Sequence, residues 1–248
     1  MKQVSGSTSV APASASTAAP GRAALDASLN SVESALTGGS VGGGSSAFGG
    51  GSALKEFVLP APRTTGGMPL IDALRCRHTT REYAHRTLTP HLLSDLLWAA
   101  FGVNRANGDR TAPYWRHVMV MDIYLATAAG VWLYEPQTHR LLHHLSEDIR
   151  AQTGTQDFVA AAPVELLYVA HGERMVDVNA EERRLYASVD AAFIGQNVYL
   201  FCASEHLGTV FRGAVDTASV GRILGLPPQQ FVTFAQTVGY AQGVGAGN

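Results

Sequence analysis

Hydrophobic residues are spaced unevenly along this chain, and their pattern predicts a polar tail followed by alternating helices and strands. In residues 1–53 large apolar side chains are scarce, and the stretch 38–52 is mostly Gly and Ser. Such a composition buries too little apolar surface to offset the entropy that is lost on ordering. We therefore predict a disordered tail and linker over 1–53, an ordered domain over 54–240 and a flexible terminus over 241–248.

One stretch of the tail, Ala23 to Leu36, has Leu25, Leu29 and Val32 at helical spacing. Two interpretations are open: a docking peptide that folds on a protein partner, or a solvated spacer with transient helix, which we favour. No apolar run of signal-peptide length lies near the N-terminus, and none of about 18 residues occurs anywhere. We therefore expect a cytoplasmic protein without a membrane span.

Helical periodicity is strong at several places in the ordered domain. In the first predicted helix, Leu70, Ile71, Ala73 and Leu74 form the apolar face. The longest helical pattern has apolar residues on more than one face, which predicts a central, buried helix. Helices are predicted after Met68-Pro69, from Thr89-Pro90 to Phe101, from Ser146 to Thr153, over Phe158–Ala161, over Glu181–Ser204 and over Ala218–Leu224.

Short runs of β-branched, aromatic and aliphatic residues predict the strands. They cover 54–60, Val118–Ala126, Val131–Tyr134, Leu141–Leu145, Val164–Val169, Thr209–Phe211 and Phe231–Val238. The order of the elements is not a regular alternation of strand and helix, so we predict an α+β fold.

Composition narrows the function classes. Hydrophobic residues make up 46% of the chain and charged residues 15%, with a net charge of −2. So few surface charges indicate a large buried interface or an oligomer. The near-neutral balance without a basic cluster argues against nucleic acid as a partner. Two cysteines, Cys76 and Cys202, do not make a disulfide scaffold, and neither a dinucleotide-binding glycine motif nor a P-loop is present.

The segment Arg77-His78-Thr79-Thr80-Arg81 carries the most informative chemistry. Two guanidinium groups suit bidentate phosphate binding, and the hydroxyl groups add hydrogen-bond donors. In an extended segment, alternate side chains point to one side, so Arg77, Thr79 and Arg81 could line one site. From composition alone, a solvated basic turn is about equally plausible.

This segment, followed by Glu82-Tyr83, resembles the flavin-binding signature of the nitroreductase superfamily. Further blocks resemble its SagB-type branch, in order and with matching spacing over about residues 55–240. They are LPAPRTTGGMPLIDAL, LSDLLWAAFGVNR, RTAP, DIYLA, TGTQDFVAAAPVELLYVA, DAAFIGQNVYLFCASEHLGTVFRGAVD and QTVGY.

The resemblance implies an antiparallel-rich sheet of four or five strands flanked by helices, in an intertwined homodimer with FMN at the subunit interface. It implies that Arg77, His78, Thr79 and Arg81 contact the FMN phosphate, ribityl chain and pyrimidine edge. Arg81 corresponds to the cation near flavin N1 and O2, which stabilises negative charge on the reduced ring. Arg212-Gly213 corresponds to the backbone segment that passes flavin N5.

Two features depart from the family pattern. After RTAP, relatives carry an asparagine and a glutamine that hold the ribityl chain and the flavin edge. This chain has His117 and Met119 there, and a methionine is a poor hydrogen-bonding substitute. The late Lys or Arg that many relatives use for the phosphate is also missing from the C-terminal sequence GYAQGVGAGN.

Other polar residues receive structural interpretations. His139, His143 and His144 lack a completing ligand and alternate along a predicted strand, so we expect surface side chains and no metal site. Asp190 lies within an apolar helix and must find a hydrogen-bonding partner.

The pair Gln196-Asn197 matches a common polar pair on the central helix of the family. We favour helix-packing hydrogen bonds over ligand contacts for both side chains.

The resemblance implies an FMN-dependent oxidoreductase that passes a hydride from NAD(P)H through flavin N5 to a small electrophile, such as a nitroaromatic or a quinone. Two alternatives remain open. One is a flavin-poor scaffold protein of the same fold with a docking tail, and the other is an azoline oxidase that modifies peptides.

Overall fold

A seven-stranded, fully antiparallel sheet forms the centre of the fold, with the strand order β1-β4-β3-β2-β5-β7-β6. The computed structural model describes residues 55–243, so the predictions for the tail and for most of the C-terminus lie outside the described residues. The predicted α+β class is confirmed, but the sheet has more strands than the four or five expected.

The sheet is built from short and long strands in chain order. They are β1 (Glu56–Val58), β2 (Met121–Thr127), β3 (Gly130–Glu135), β4 (Arg140–Leu145), β5 (Val164–His171), β6 (Leu207–Arg212) and β7 (Gln230–Tyr240). The helices are α1 (Leu70–Cys76), α2 (Pro90–Phe101), α3 (Phe158–Ala161), α4 (Ala180–Ser204) and α5 (Thr217–Ile223). Among residues 55–243, none of these helices has the length and hydropathy needed to cross a bilayer.

The two faces of the sheet are covered by different helices, because successive side chains of a strand point to opposite sides. On one face Tyr168 stacks on Phe211, which packs against α4. On the other face Leu167 belongs to a cluster with Val220 and Leu224 of α5. Helix α2 packs beside α4. The long helix α4 therefore lies over β6 and β7, at the end of the sheet where β6 is the outermost strand.

Local capping explains where the two longest helices begin. The Thr89 hydroxyl accepts a hydrogen bond from Leu92 N, and Pro90 occupies the first turn, as predicted. Asn179 and Glu182 form a reciprocal capping box at the start of α4.

Two predicted boundaries are wrong. Instead of a helix from Ser146 to Thr153 there is only a three-residue 3₁₀ turn, Arg150–Gln152. The Asp148 carboxylate accepts hydrogen bonds from the backbone and side chain of Arg150, which holds a local turn.

Strand β2 starts at Met121 rather than Val118. Arg116 and His117, with positive φ values of 46° and 57°, form a tight turn directly before Val118, and Val118 N closes this turn with a hydrogen bond to Trp115 O at 2.8 Å.

Two predictions of burial also fail. In α1 only Ala73 is buried, whereas the rest of the predicted apolar face, Leu70, Ile71 and Leu74, is exposed. Helix α4 is not buried all round in the described chain, because it exposes an apolar stripe on one side. Single exposed apolar residues are common on protein surfaces, but each of these helices exposes several neighbouring ones. Both surfaces are therefore candidates for a contact with another chain.

Helix α4 and strand β6 approach closely at Gly195. A Cβ atom built on Gly195 would lie 2.5 Å from Cδ2 of the Phe211 ring and 3.1 Å from Oε1 of Gln236. The ring of Phe211 stacks between Tyr168 and Phe234, so it has little room to move aside. The absence of a side chain at this position therefore sets the distance between helix and strand.

We predict opposite effects of the same substitution in two helices. Gly195→Ala should lower the free energy of unfolding by about 1–3 kcal/mol, because the overpacking outweighs the gain in helix propensity. Gly221→Ala in α5 should be neutral or raise it by up to about 1 kcal/mol, because only Leu226 Cδ1 lies near, at 3.8 Å. Urea unfolding of both variants checks this, and equal effects would contradict the close approach at Gly195.

Candidate functional site

The basic segment, residues 77–81, runs along the outer edge of β6. Thr80 N donates a hydrogen bond to Thr209 O at 3.0 Å, and the Tyr83 hydroxyl donates one to Thr80 O at 2.6 Å. A Cβ atom on Gly208 would lie 2.8 Å from Thr80 Cγ2, so the segment lies directly against the strand. The edge of the sheet therefore fixes the backbone of the basic segment.

Tyr199 of α4 connects three parts of this region. Its hydroxyl lies 3.0 Å from Thr79 Oγ1 and accepts a hydrogen bond from Phe211 N, also at 3.0 Å. The guanidinium carbon of Arg77 lies 5.3 Å from the centroid of its ring. Arg77 and Thr79 therefore gather on the same tyrosine, as expected for alternate residues of an extended segment.

The charges of the basic segment are not neutralised within residues 55–243. Arg77 and Arg81 form no ion pair there, whereas the nearby Arg75 pairs with Asp72 at 3.1 Å. His78 Nδ1 lies 2.8 Å from Cys76 O, within hydrogen-bond distance, and the imidazole is exposed. Arg77 and Thr79, which share the Tyr199 side chain, and Arg81 two residues further along the segment offer donors and charge of the kind that suits a phosphate.

The second predicted region is the turn of residues 114–119. Trp115 N donates a hydrogen bond to the carboxylate of Asp190 at 2.9 Å, and the Arg116 guanidinium lies over the Trp115 ring at 4.8 Å. Arg116 and His117 are both left-handed and exposed. Two consecutive non-glycine residues in this conformation are costly, and such strain is concentrated at functional sites.

These two regions lie on opposite sides of α4. Asp190 and Tyr199 are nine residues apart, which corresponds to half a turn around the helix and about 13 Å along its axis. The exposed apolar stripe, Leu185, Val189 and Phe193, lies between these sides, with exposures of 58%, 41% and 45%. In the described part of the chain, no hydrogen bond or ion pair joins residues 77–81 to residues 114–119.

Comparisons with known proteins identify the family of this fold and site. The model of the nitroreductase family matches residues 74–240. This chain belongs to the nitroreductase family.

Individual relatives agree with this assignment. A Methanocaldococcus jannaschii protein named as a nitroreductase is 32% identical over 165 residues, which cover 62% of this chain and 83% of that protein. A nitroreductase structure from Ralstonia eutropha JMP134 is 38% identical with a TM-score of 0.72, over 77% of this chain and 91% of that one.

A more distant structure shares the fold alone. The NADPH:FMN oxidoreductase of Vibrio harveyi, complexed with NAD+, is 22% identical with a TM-score of 0.52, over 70% of this chain and 69% of that one.

Arg212 does not offer its side chain to a nitroreductase cofactor. Its guanidinium is buried, where it donates hydrogen bonds to Glu165 at 2.5 Å, Thr237 Oγ1 at 3.0 Å and Thr153 O at 3.0 Å. Burial raises the pKa of Glu165, and the Arg212 guanidinium opposes that rise. Only the backbone here, with the exposed Gly213, remains available for the predicted passage beside a flavin.

The two polar residues Gln196 and Asn197 of α4 have different environments. Asn197 Nδ2 donates a long hydrogen bond of 3.5 Å to Ala100 O, in agreement with a packing role. Gln196 is exposed on the side of the apolar stripe, so the packing role expected for it is wrong.

Within residues 55–243 the histidines of β4 and the preceding turn belong to no group of three or more potential metal ligands. The surface prediction for His139 is wrong. Its ring nitrogens contact the hydroxyl groups of Ser94 at 2.6 Å and Tyr134 at 3.0 Å. The side chain is half-buried, and burial lowers the pKa of His139, which favours the neutral imidazole.

Sequence reasoning missed Tyr199, which it counted only as part of an apolar helix. The signal was present, because a tyrosine that is partly buried usually places its hydroxyl group on a specific partner. The requirement that Asp190 finds a partner is confirmed, but the partner, a backbone N–H of the 114–119 turn, has no signature in the sequence.

The Asp190 contact predicts a pH effect on stability. Burial raises the pKa of Asp190 to about 6, against the hydrogen bond from Trp115 N. Between about pH 4 and about pH 6, Asp190 therefore binds a proton in the folded protein but not in the unfolded chain, where its pKa is near 4. This contribution to stability is full below about pH 4 and is lost as the pH rises through about 6.

Asp190→Asn removes this titration and keeps an oxygen acceptor for Trp115 N. As the pH rises from about 5 to about 8, the wild type loses the contribution of Asp190 and the variant does not. The free energy of unfolding of the variant minus that of the wild type should therefore increase by about 1 kcal/mol over this range. Urea unfolding at both pH values measures the change. A difference between the two proteins that does not vary with pH would show that Asp190 is ionised at both.

Proposed function

We propose that this nitroreductase-family protein is an FMN-dependent oxidoreductase that uses NAD(P)H as hydride donor and a small electrophile, such as a nitroaromatic or a quinone, as acceptor. The carrying observation is the basic segment, where Arg77 and Arg81 lack counter-ions within residues 55–243 and where Thr79 and Arg77 contact the same tyrosine, Tyr199. The membership of the family supports the oxidoreductase class. The Vibrio harveyi protein of the same fold is named for NADPH and FMN.

The residues of the basic segment fit the chemistry of FMN. Arg77 and Thr79 would bind the phosphate, and the exposed His78 is placed to add a hydrogen bond. Arg81 would hold positive charge near the pyrimidine edge, where negative charge develops on reduction. The exposed backbone at Gly213 has no side chain to obstruct a ring, and a Cβ atom built there would lie 3.4 Å from Cε1 of Phe234.

When bound, FMN supplies a ring that takes up a hydride from a reduced nicotinamide and passes it to the acceptor. The chain itself needs no nucleophile for this chemistry. Its residues orient the reactants, exclude water and provide fixed charge.

The departures at His117 and Met119 reduce the number of side chains that can form hydrogen bonds to FMN. His117 is exposed and offers ring nitrogens for a hydrogen bond, while Met119 contributes only its backbone carbonyl, which already accepts a hydrogen bond from Arg174 at 2.7 Å. The alternative of a flavin-poor scaffold protein rests on this loss. Assignment to the SagB-type branch, and azoline oxidation with it, stays a prediction.

We also propose a homodimer that covers the apolar stripe of α4 and the exposed face of α1. The stripe separates the basic segment from the 114–119 turn within one subunit, so a cofactor on the basic segment would meet the same turn of the partner subunit. Burial of three large apolar side chains contributes about 1.5–3 kcal/mol each when complete.

The flavin proposal predicts a specific loss in one arginine variant. Arg81→Ala should weaken FMN binding about tenfold or more, because a charge-assisted contact is removed. Arg75→Ala is the matched control, since Arg75 lies on the adjacent helix and is already paired with Asp72. Visible absorption after FMN addition and gel filtration measures the retained flavin.

Retention of about one FMN per subunit by the wild type and the control, with loss in Arg81→Ala, supports the proposal. Equal loading of all three proteins would remove Arg81 from the site. A wild type that stays colourless would favour the scaffold alternative.

The dimer proposal predicts the effect of charge on the stripe. Val189→Glu should convert the dimer of 26.2 kDa chains into monomers, because an unpaired carboxylate would be buried in the interface. Val176→Glu is the control, as Val176 is exposed (60%) outside α4. Light scattering during gel filtration gives the mass. A monomeric wild type would contradict the dimer proposal. A Val189→Glu variant that remains dimeric would show that the interface does not include the stripe.

A further inference from the structure

We infer that Tyr199 is a positioning residue that organises the phosphate-binding end of the flavin site through its hydroxyl group and its ring. The inference rests on the proposed function, since it assigns the phosphate of FMN to Arg77 and Thr79. It concerns a residue of α4 that lies outside the basic segment and touches both of these side chains.

The hydrogen bonds around the Tyr199 hydroxyl allow an arrangement that prepares Thr79 for an anion. Phe211 N–H donates to the Tyr199 oxygen, so the tyrosine proton remains for another acceptor. Within residues 55–243 the other hydrogen-bonding neighbour of that oxygen is Thr79 Oγ1, 3.0 Å away. Either hydroxyl group can donate across this distance, and we assign the tyrosine as the donor to Thr79, which leaves the threonine proton free to point at an external anion.

The ring of Tyr199 acts on the second phosphate ligand. The Arg77 guanidinium lies over it at 5.3 Å from the ring centroid, within the range of a cation–π interaction. This contact restricts a flexible side chain and uses none of its N–H donors. One tyrosine thus holds the Arg77 guanidinium and the Thr79 hydroxyl near each other, and leaves their N–H and O–H groups available to a ligand.

The position of the tyrosine is itself tightly defined. Gly195, one turn earlier in α4, lets the Phe211 ring approach the helix, and this brings Phe211 N within reach of the Tyr199 hydroxyl. The same strand continues to the exposed backbone at Gly213. The hydroxyl therefore links the phosphate end of the proposed site to the strand that leads to its ring end.

The test compares a ligand that has a phosphate with one that lacks it. Tyr199→Phe keeps the ring and removes the hydroxyl group. The full chain, stripped of flavin, is titrated with FMN and with riboflavin, and the change in flavin fluorescence gives each Kd. We expect the Kd for FMN to rise about five- to tenfold, and the Kd for riboflavin to change by less than about twofold.

Tyr124→Phe is the matched control. Tyr124 lies on the opposite face of the sheet, where its ring packs on His144 and its hydroxyl forms no hydrogen bond within residues 55–243. Both Kd values should stay at the wild-type level, and thermal unfolding of both variants reports whether the fold is intact.

A double-mutant cycle tests the proposed route through Thr79. Thr79→Val alone should weaken FMN binding as much as Tyr199→Phe, and the double variant should be no weaker than either single variant by more than about twofold. Independent, multiplying losses would show that the two hydroxyl groups act separately, which overturns the inference.

The outcomes separate this inference from the proposed function. Equal losses for FMN and riboflavin would give Tyr199 a purely structural role, and no loss for either would remove its hydroxyl group from the site. Both results overturn the inference and leave an FMN-binding protein. A wild type that binds neither flavin overturns the proposed function, and the inference with it.

Discussion

The outer edge of β6 is the constraint on which the candidate site depends. An edge strand presents unpaired backbone groups that must be covered or left to water. Here Thr209 O is satisfied by Thr80 of the basic segment and Phe211 N by the Tyr199 hydroxyl. The groups that cover the edge are therefore the same groups that hold Arg77 and Thr79, so the requirement to complete the sheet also organises the proposed anion-binding surface.

Helix α4 imposes the second constraint, because it has three functionally different sides. One side carries Asp190 and anchors the 114–119 turn, the other carries Tyr199, and the apolar stripe lies between them. A single chain cannot bring the two anchored regions together without crossing the stripe. In the proposed homodimer, the stripe that separates these regions within one chain would be the surface through which a second subunit reaches the site.

The sequence predicted the elements whose signals are local. Helix α2 was predicted from Thr89-Pro90, and these residues cap the helix in the structure. Predictions failed where a side chain forms a specific hydrogen bond, local or long-range, that hydrophobic periodicity does not encode. Asp148 binds Arg150 instead of starting a helix, and His139 bonds to Ser94 and Tyr134 instead of facing water. Periodicity also cannot distinguish a core from an interface, which is why the exposure of α1 and α4 was missed.

The candidate site shows why residue type alone does not identify ligand contacts. The sequence selects Arg77, Arg81 and Arg212 alike, yet only one of these guanidinium groups has a carboxylate partner in the described part of the chain. Arg212 has its counter-charge in the core, where Glu165 accepts its hydrogen bond in a site without solvent. Removing either partner would leave a buried charge, so this pair is committed to the fold. Arg81 is exposed and Arg77 is half-buried, and neither has such a partner within residues 55–243; a guanidinium group in that state gains most from an external anion. The distribution of carboxylates, which only the folded chain reveals, therefore decides which arginines of the family signature are available to a cofactor.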